Sequence, residues 1–494
     1  MTIYNDKYTW KPFVWVVVYY LLYIAVYYNI CLRNGLHWDE VLDLDGSAND
    51  TYCAAGRWSL WMYKAIFGKG ALLSAAGFIA GVFISIAAVI QSSLLNLKAP
   101  WLKVLYGILL MTSYQWAAQL HYSHQSDAVA LGLLMCTIAA GLACKARKPV
   151  LLVLAALLLG IAIGFYQSLA LMFAVVWIAA CLADSSKPFF SSGFRRIVVA
   201  GAISIGGIAF WMFTKAVLIN FISPATQHWV QSYQTGLSEW TIVLASHDLS
   251  VQLGILWHYL RLSLSNASGL GKASYWIFVT ALIPLAGLLL RQMRSKRGWD
   301  RIVSYLLTLA LWWIPFSLPF FMMSPAMAIR TWLAEPFAFA AIWLLWVKDL
   351  QVPNSWRVVY LSLAAALMAC TTVKVYREAR IEADSHKATL TMLGEMYQRA
   401  MDMANQKGVR SPDIVVFGFF DKKDNPNLNT NVFRDAFPFD FYCKGFGMTG
   451  MRHATPQDEE TYAPQVEAMP KWPEPGCVSN AGETAILIRL PHEK

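Results

Sequence analysis

The chain has 494 residues, 57% of them hydrophobic and only 14% charged, with a mean hydropathy of +0.44 and a formal net charge of +10. That balance belongs to a membrane protein and excludes an ordinary soluble enzyme. The positive charge does not mark a nucleic-acid binder, because Lys and Arg fall in short clusters between apolar stretches.

A helix needs about 20 apolar residues to span a bilayer. On that measure the sequence predicts about eleven spans, at 12–31, 71–94, 101–118, 126–144, 149–165, 168–183, 197–218, 273–290, 302–322, 331–347 and 357–373. The first has no small-residue cleavage site and is longer than a signal-peptide core, so it reads as a retained helix. The fifth and sixth form one apolar run, read as broken at Gly164-Phe165-Tyr166-Gln167. The fold class expected is therefore an all-α polytopic membrane protein carrying a small C-terminal α/β domain.

Orientation follows from the excess of basic residues on cytoplasmic loops. With the N-terminus inside, 17 Lys and Arg lie on inner loops and 8 on outer ones up to residue 373. An odd number of spans then places the C-terminal segment outside. The loop between the first two spans, 32–70, is outside as well. It holds Asp39, Glu40, Asp43, Asp45 and Asp50 together with Arg57. A solvated connector would tolerate such a composition, but an acidic pair beside Trp38 at a membrane boundary favours a site.

Between 219 and 272 no clean span is present. The stretch from Phe221 to Trp240 reads as an external loop, and VQLGILWHYLRLSLS reads as an amphipathic helix along the outer interface. After residue 373 the composition changes: 374–494 contains 15 Lys/Arg, 17 Asp/Glu and no further apolar run long enough to span. A polar helix over about 377–406 and strands at 414–417 and 485–488 predict a small external α/β domain. The domain expectation is thus a transmembrane domain over 1–373, with its external loop 32–70, followed by 374–494. Cys443 and Cys477 lie in that external segment and are expected to pair, with Cys31–Cys53 a second candidate.

No phosphate-binding glycine loop, CxxC pair or HExxH helix occurs, and neither a metal nor a cofactor is expected. His121 and His124 lie in a short outer loop just before Asp127. They suit either a metal site or a polar cap on a water-filled cavity. Tyr166 and Gln167 mark the outer helix break, Lys215 ends the seventh span, Arg330 opens the tenth and Glu335 follows inside it. A cation at an outer helix end also snorkels without any function. Carboxylates combined with several cations at one membrane face, however, suit group transfer from a lipid-linked phosphate. A carboxylate takes the proton of an attacking hydroxyl, and cations hold the departing phosphate.

The acidic pair after the first span, Gly56-Arg57 in the same loop, Tyr166-Gln167 at a helix break and Arg330 before a late span together resemble the Gtr-type O-antigen glucosyltransferases. These are bacterial inner-membrane proteins of GT-C-like architecture that alter serotype by modifying lipopolysaccharide. The resemblance implies a donor of undecaprenyl-phosphate glucose used on the periplasmic side, and an acceptor hydroxyl of lipid-linked O-antigen. It implies inverting transfer without a nucleotide sugar. Asp39 and Glu40 are then the catalytic pair, where the family pattern is Asp-Asp. Arg57, Arg330 and Lys215 bind the donor phosphate, and Tyr166, Gln167, His121, His124 and Asp127 bind substrate. Two other classes stay open: a transporter or flippase of lipid-linked sugars, which calls for inverted-repeat halves, and a membrane O-acyltransferase or O-antigen polymerase.

Overall fold

Tyr19, Tyr23 and Tyr27 stand four residues apart on the first helix, α1 (Lys11–Cys31), and all three are fully buried. Phe13, Val14, Val17 and Leu21 on its other side are exposed. Spacing of three to four residues puts each set on one helix face, so α1 shows a polar-aromatic stripe to its neighbours and an aliphatic one outward. The computed structural model that shows this describes residues 11–32, 49–67, 73–145, 148–184, 189–235, 248–265, 272–295, 298–317, 331–350, 352–421, 423, 428, 432–433 and 436–492. These divide into two compact units, one of residues 11–31 and 49–375 and the other of residues 376–492.

The first unit is helical throughout. After α1 come two short helices, α2 (Asn49–Ala54) and α3 (Trp58–Phe67), then α4 (Leu73–Leu94), α5 (Pro100–Met111), α6 (Tyr114–Leu120), α7 (Ser123–Lys145), α8 (Pro149–Phe165), α9 (Leu169–Ala183) and α10 (Phe189–Leu218). They are followed by α11 (Pro224–Thr235), α12 (Leu249–Ser265), α13 (Lys272–Ser295), α14 (Gly298–Trp313), α15 (Glu335–Val347) and α16 (Asn354–Gln406). Helix α4 packs between α1 and α7, and α8 packs between α7 and α10. Inside the bundle Tyr106 donates to Gln91 at 2.5 Å and Gln91 donates to Thr137 at 3.0 Å, tying α4, α5 and α7 through a satisfied buried network. The outer faces of α1, α8, α10 and α16 expose large aliphatic side chains such as Val153, Ile205, Met212 and Leu363. Such faces are stable against lipid and costly against water.

Five helices among the described residues are long and apolar enough to cross a membrane, at Pro12–Cys31, Ala75–Leu94, His124–Lys145, Arg195–Phe221 and Asn354–Gln406. The expected count of eleven is not reached on this measure. Helices α5, α8, α9 and α15 have 12, 17, 15 and 13 residues, and at about 1.5 Å per residue the shorter ones cover only part of a 30 Å hydrocarbon core. The third expected span, 101–118, is in fact interrupted at Thr112-Ser113 between α5 and α6. Tyr27 Oη donates to Met111 O at 2.8 Å and to Ser113 O at 2.7 Å, and Thr371 Oγ1 donates to Thr112 O at 3.1 Å. The carbonyls at the break thus have side-chain donors within reach, Met111 O and Ser113 O sharing the single Tyr27 hydroxyl proton and Thr112 O taking that of Thr371, which is what allows a helix to break away from water.

Further departures have local causes. Helix α11 lies where an external loop is expected, because Ser223 Oγ accepts the Thr226 N–H at 3.2 Å and Pro224 supplies a first helical position. Helix α14 stops at Trp313 and a 3₁₀ turn follows over Ile314–Phe316, where Pro315 has no N–H to give. The expected span 357–373 and polar helix 377–406 are one helix of 53 residues, about 80 Å long at 1.5 Å per residue. No Gly or Pro separates the two parts.

Because the helices alternate in direction, the two ends of the bundle differ. At one end Lys348 caps α4 and α9 together, donating to Leu95 O at 3.3 Å and Ala183 O at 3.1 Å. Arg196 pairs with Asp184 at 2.7 Å, Arg291 pairs with Asp349, and Lys103 and Arg357 lie over Trp15 and Trp101. The opposite end carries the α2–α3 corner, the α5–α6 break, the start of α7 and the α8–α9 break.

The second unit is a four-stranded sheet covered on both faces. Strands β1 (Asp413–Phe417), β2 (Met451–His453), β3 (Val478–Ala481) and β4 (Ala485–Arg489) lie in the order β2-β1-β4-β3, with β1 parallel to both β2 and β4 and β3 antiparallel to β4. Alternate residues point to opposite faces. Ile414, Val416, Ile486 and Ile488 pack with Leu393 and Met396 of α16 and with Tyr442 of α17 (Ala436–Gly445). Val415, Phe417 and Leu487 pack with Val466 of α18 (Pro456–Ala468). Both faces are buried over the central strands, so β1 and β4 are nearly continuous apolar runs, while the outer β2 and β3 are not. Thr455 and Asp458 form a reciprocal capping box at the start of α18.

The expected disulfides are not formed. Cys443 and Cys477 are buried free thiols in the same apolar cluster, where they pack as small hydrophobic side chains. Cys31 lies against Gly77 and Tyr23, while Cys53 packs with Ile222 and Val230, so these two thiols face different neighbours.

Candidate functional site

Between α2 and α3 the chain reverses at Gly56, with φ of +82°. A residue bearing a Cβ rarely adopts that conformation, and here a Cβ would also lie 3.0 Å from Trp211, 3.3 Å from Gln167 Nε2 and 3.5 Å from Lys215 Cδ. The turn aims two carbonyls into the bundle. Gln167 Nε2 donates to Ala55 O at 2.7 Å, and Trp211 Nε1 donates to Gly56 O at 2.8 Å. Gly56-Arg57, Tyr166-Gln167 and Lys215, far apart in sequence, therefore meet at one place.

Each of these residues sits at a helix boundary for a local reason. Helix α8 ends at Phe165 and Tyr166 is extended, with φ of −157° and ψ of 120°, so the expected break between the fifth and sixth spans is present. The guanidinium of Arg57 lies 4.7 Å from the Tyr166 ring centre, a cation–π contact. Arg57 Nε and Tyr166 Oη are buried, and neither has a hydrogen-bond partner among the described residues. Lys215 is on the last turn of α10, facing the same corner.

A second arc runs from this corner to the start of α7. Asp127 is 3% exposed; it accepts the Tyr63 hydroxyl at 2.7 Å and the Ala128 N–H at 2.8 Å. Tyr63 on α3 also meets Phe165 edge-on, with ring centres 6.0 Å apart. Burial, and then its bond to Asp127, raises the Tyr63 hydroxyl above its ordinary pKa, so it stays a proton donor. Lys64 is buried with its ammonium 4.9 Å from the Tyr52 ring, and that ring stacks on His124 with centres 6.1 Å apart. His124 belongs to the first turn of α7 rather than to a loop, while His121 caps the end of α6. Asp50, in the first turn of α2, accepts the Trp61 indole N–H at 3.2 Å.

Tyr52, Tyr63 and Lys64 were not singled out from the sequence. The signal available was Lys64 itself, the one basic residue in the otherwise apolar helix WSLWMYKAIF. At the α5–α6 break Gln115 donates to Glu335 and accepts from Ser113, and Glu335 is only 4% exposed. Asp39, Glu40 and Arg330 lie outside the described residues, as do Asp43 and Asp45.

Chemically, the corner offers cations of two kinds around a polar turn, with a hydrogen-bonded carboxylate and histidine on the adjoining arc. Cations in such a setting hold an anionic group, and the amide, hydroxyl and imidazole groups hold hydroxyls. No curated protein and no solved structure matches the chain. The family model described as Glucosyl transferase GtrII matches residues 33–345. That stretch is more than half of the chain and takes in the acidic loop, the Gly56 corner, the α8–α9 break, Lys215 and Glu335, so by sequence and by the groups gathered here the protein belongs to the GtrII glucosyl transferase family.

Proposed function

We propose that this membrane glucosyltransferase moves glucose from a polyprenyl-phosphate carrier to a sugar hydroxyl of lipid-linked O-antigen, with inversion, on the periplasmic side. The observation that carries the reading is the meeting of Arg57, Tyr166, Gln167 and Lys215 around the Gly56 turn in a chain of this family. Arg57, Arg330 and Lys215 hold the donor phosphate, with the planar fork of each arginine matched to phosphate oxygens. The acceptor oxygen attacks the anomeric carbon as the bond from that carbon to the phosphate oxygen breaks. The electron pair leaves on polyprenyl phosphate, and the hydroxyl proton passes to the carboxylate of Asp39, which Glu40 supports. Tyr166, Gln167, His121, His124 and Asp127 line the path of the two sugars. What supports this side of the membrane is the basic character of the other end of the bundle, with Lys103, Arg196, Arg291, Lys348 and Arg357, since the positive-inside rule favours the cytoplasm for such an end.

The test is incubation of the purified protein with polyprenyl-phosphate glucose and O-antigen, measuring glucose on the acceptor and release of polyprenyl phosphate. Asp39→Asn is expected to keep donor binding and lower transfer by at least about 10²-fold, the range of a positioned acid–base group, and Glu40→Gln to cost less. Near-normal transfer by both variants would remove this pair from the chemistry.

A further inference from the structure

Near its end α10 turns Met212, Phe213 and Val217 outward, and all three are exposed. Trp211 and Lys215, four residues apart and so on one face of that helix, turn the other way, against the Gly56 corner. A tryptophan that only anchored the helix at a membrane boundary would keep its indole N–H among the lipid headgroups. The Trp211 N–H instead donates to Gly56 O at 2.8 Å. That oxygen belongs to the peptide joining Gly56 to Arg57, and the N–H of the same peptide donates to Tyr52 O at 2.7 Å. A peptide is planar, so partners on its oxygen and on its N–H together fix its orientation. They fix with it the direction in which the Arg57 side chain leaves the turn.

The packing of the surrounding helices does not need this bond. Phe210 of α10 meets Trp58 of α3 edge-on, with ring centres 5.9 Å apart. Ser59 Oγ ties α3 to α8 by donating to Ile161 O at 2.8 Å, and Gly160 and Gly207 bring α8 and α10 close together. What the indole adds is the setting of one peptide, which a glycine with φ of +82° would otherwise leave free to turn over. Arg57 depends on that setting. Its guanidinium lies 4.7 Å from the Tyr166 ring centre, and its Nε is buried without a hydrogen-bond partner among the described residues. We infer that Trp211 is a positioning residue for Arg57, holding the 56–57 peptide so that the guanidinium is presented to the donor phosphate. The inference rests on the glycosyl-transfer reading and adds to it how that cation is held in place.

The experiment measures binding of polyprenyl phosphate to the full chain in detergent, alongside glucose transfer. Trp211→Phe keeps an aromatic ring and removes the N–H. Benzothienylalanine at the same position removes the N–H and keeps the shape of tryptophan. Both should weaken polyprenyl phosphate binding about three- to tenfold, the effect of roughly one hydrogen bond. KM for polyprenyl-phosphate glucose should rise by the same factor, with KM for the O-antigen acceptor unchanged. Added to Arg57→Ala, either change should cost less than about twofold, because residues acting through one another are not additive. Ser59→Ala removes a comparable pin that serves no cation; it should lower the unfolding midpoint and leave polyprenyl phosphate binding as in the wild type. The idea fails if both Trp211 variants bind polyprenyl phosphate normally, if they lose as much with Arg57→Ala as without it, or if Ser59→Ala weakens binding equally. Wild-type binding of polyprenyl phosphate without any glucose transfer would overturn the proposed reaction, and the binding comparison would still decide the role of Trp211. Normal glucose transfer with unchanged binding in both Trp211 variants would do the reverse.

Discussion

Replacing Gly56 by alanine tests whether the α2–α3 corner organises the site. A residue with a Cβ in the left-handed region costs about 1–2 kcal/mol. The new methyl would stand 3.0 Å from Trp211 and 3.3 Å from Gln167 Nε2, so both side chains must shift. Those two side chains donate to the carbonyls of Gly56 and Ala55 at 2.8 and 2.7 Å, and each bond is worth about 0.5–1.5 kcal/mol net. With one or both bonds weakened, the expected destabilisation is about 2–4 kcal/mol. Displacement of the adjoining Arg57 from Tyr166 should also lower turnover, by roughly 10²-fold for a misplacement near 1 Å. The assay pairs thermal unfolding in detergent with glucose transfer. Gly201→Ala is the control: this exposed helical glycine of α10 has nothing within 4 Å of its Cβ direction, and alanine there should be neutral or stabilising by up to about 1 kcal/mol. Wild-type stability and turnover in Gly56→Ala would refute the reasoning, and so would an equal loss in Gly201→Ala.

Tyr27→Phe removes the hydroxyl that serves the Met111 and Ser113 carbonyls, and should cost about 1–3 kcal/mol in unfolding measurements; an unchanged midpoint would mean that the α5–α6 break is held by something else. In the second unit the Arg452 guanidinium, followed by Thr455, holds the Asp458 carboxyl well below the usual carboxylate range. Its folded pKa is depressed, so the pair stabilises the fold above the unfolded carboxylate value near 3.9 and stops doing so as pH falls through the folded value. Arg452→Ala should therefore unfold more easily than the wild type at neutral pH, with the difference shrinking in acid; a difference that does not depend on pH would contradict this.

The expectations that held were those resting on local composition. The break at Tyr166-Gln167 interrupts an otherwise unbroken apolar run and carries polar groups that lipid would not accept. The strands at 414–417 and 485–488 are short β-branched runs bounded by Pro, Gly and polar residues, and they stand as β1 and β4. Expectations that failed rested on counting apolar residues. Residues 101–118 read as one span because the count does not register that Tyr27 and Thr371 supply the hydrogen bonds of a break. Residues 357–406 read as a span and a separate helix because hydropathy changes along them, although nothing in the backbone does. Pairing of Cys443 with Cys477 was argued from compartment alone, and compartment does not decide how two thiols pack.

Membership of the transferase family and the helical, membrane-type character were available from the sequence, as were Arg57, Tyr166, Gln167 and Lys215 as candidates. Each depends on residue type, or on short motifs kept in order along the chain. Which of these groups meet was decided only by the tertiary structure. Gln167 bonds the main chain of Ala55, and Lys215 faces Gly56, across more than a hundred residues of intervening helix. The placements of Tyr52, Tyr63 and Lys64 depend likewise on neighbours brought in by packing. A tyrosine or a glutamine in an apolar run has the same letter whether its polar atoms are satisfied or left unpaired, and that distinction is made by hydrogen-bond geometry between helices that the sequence does not place side by side.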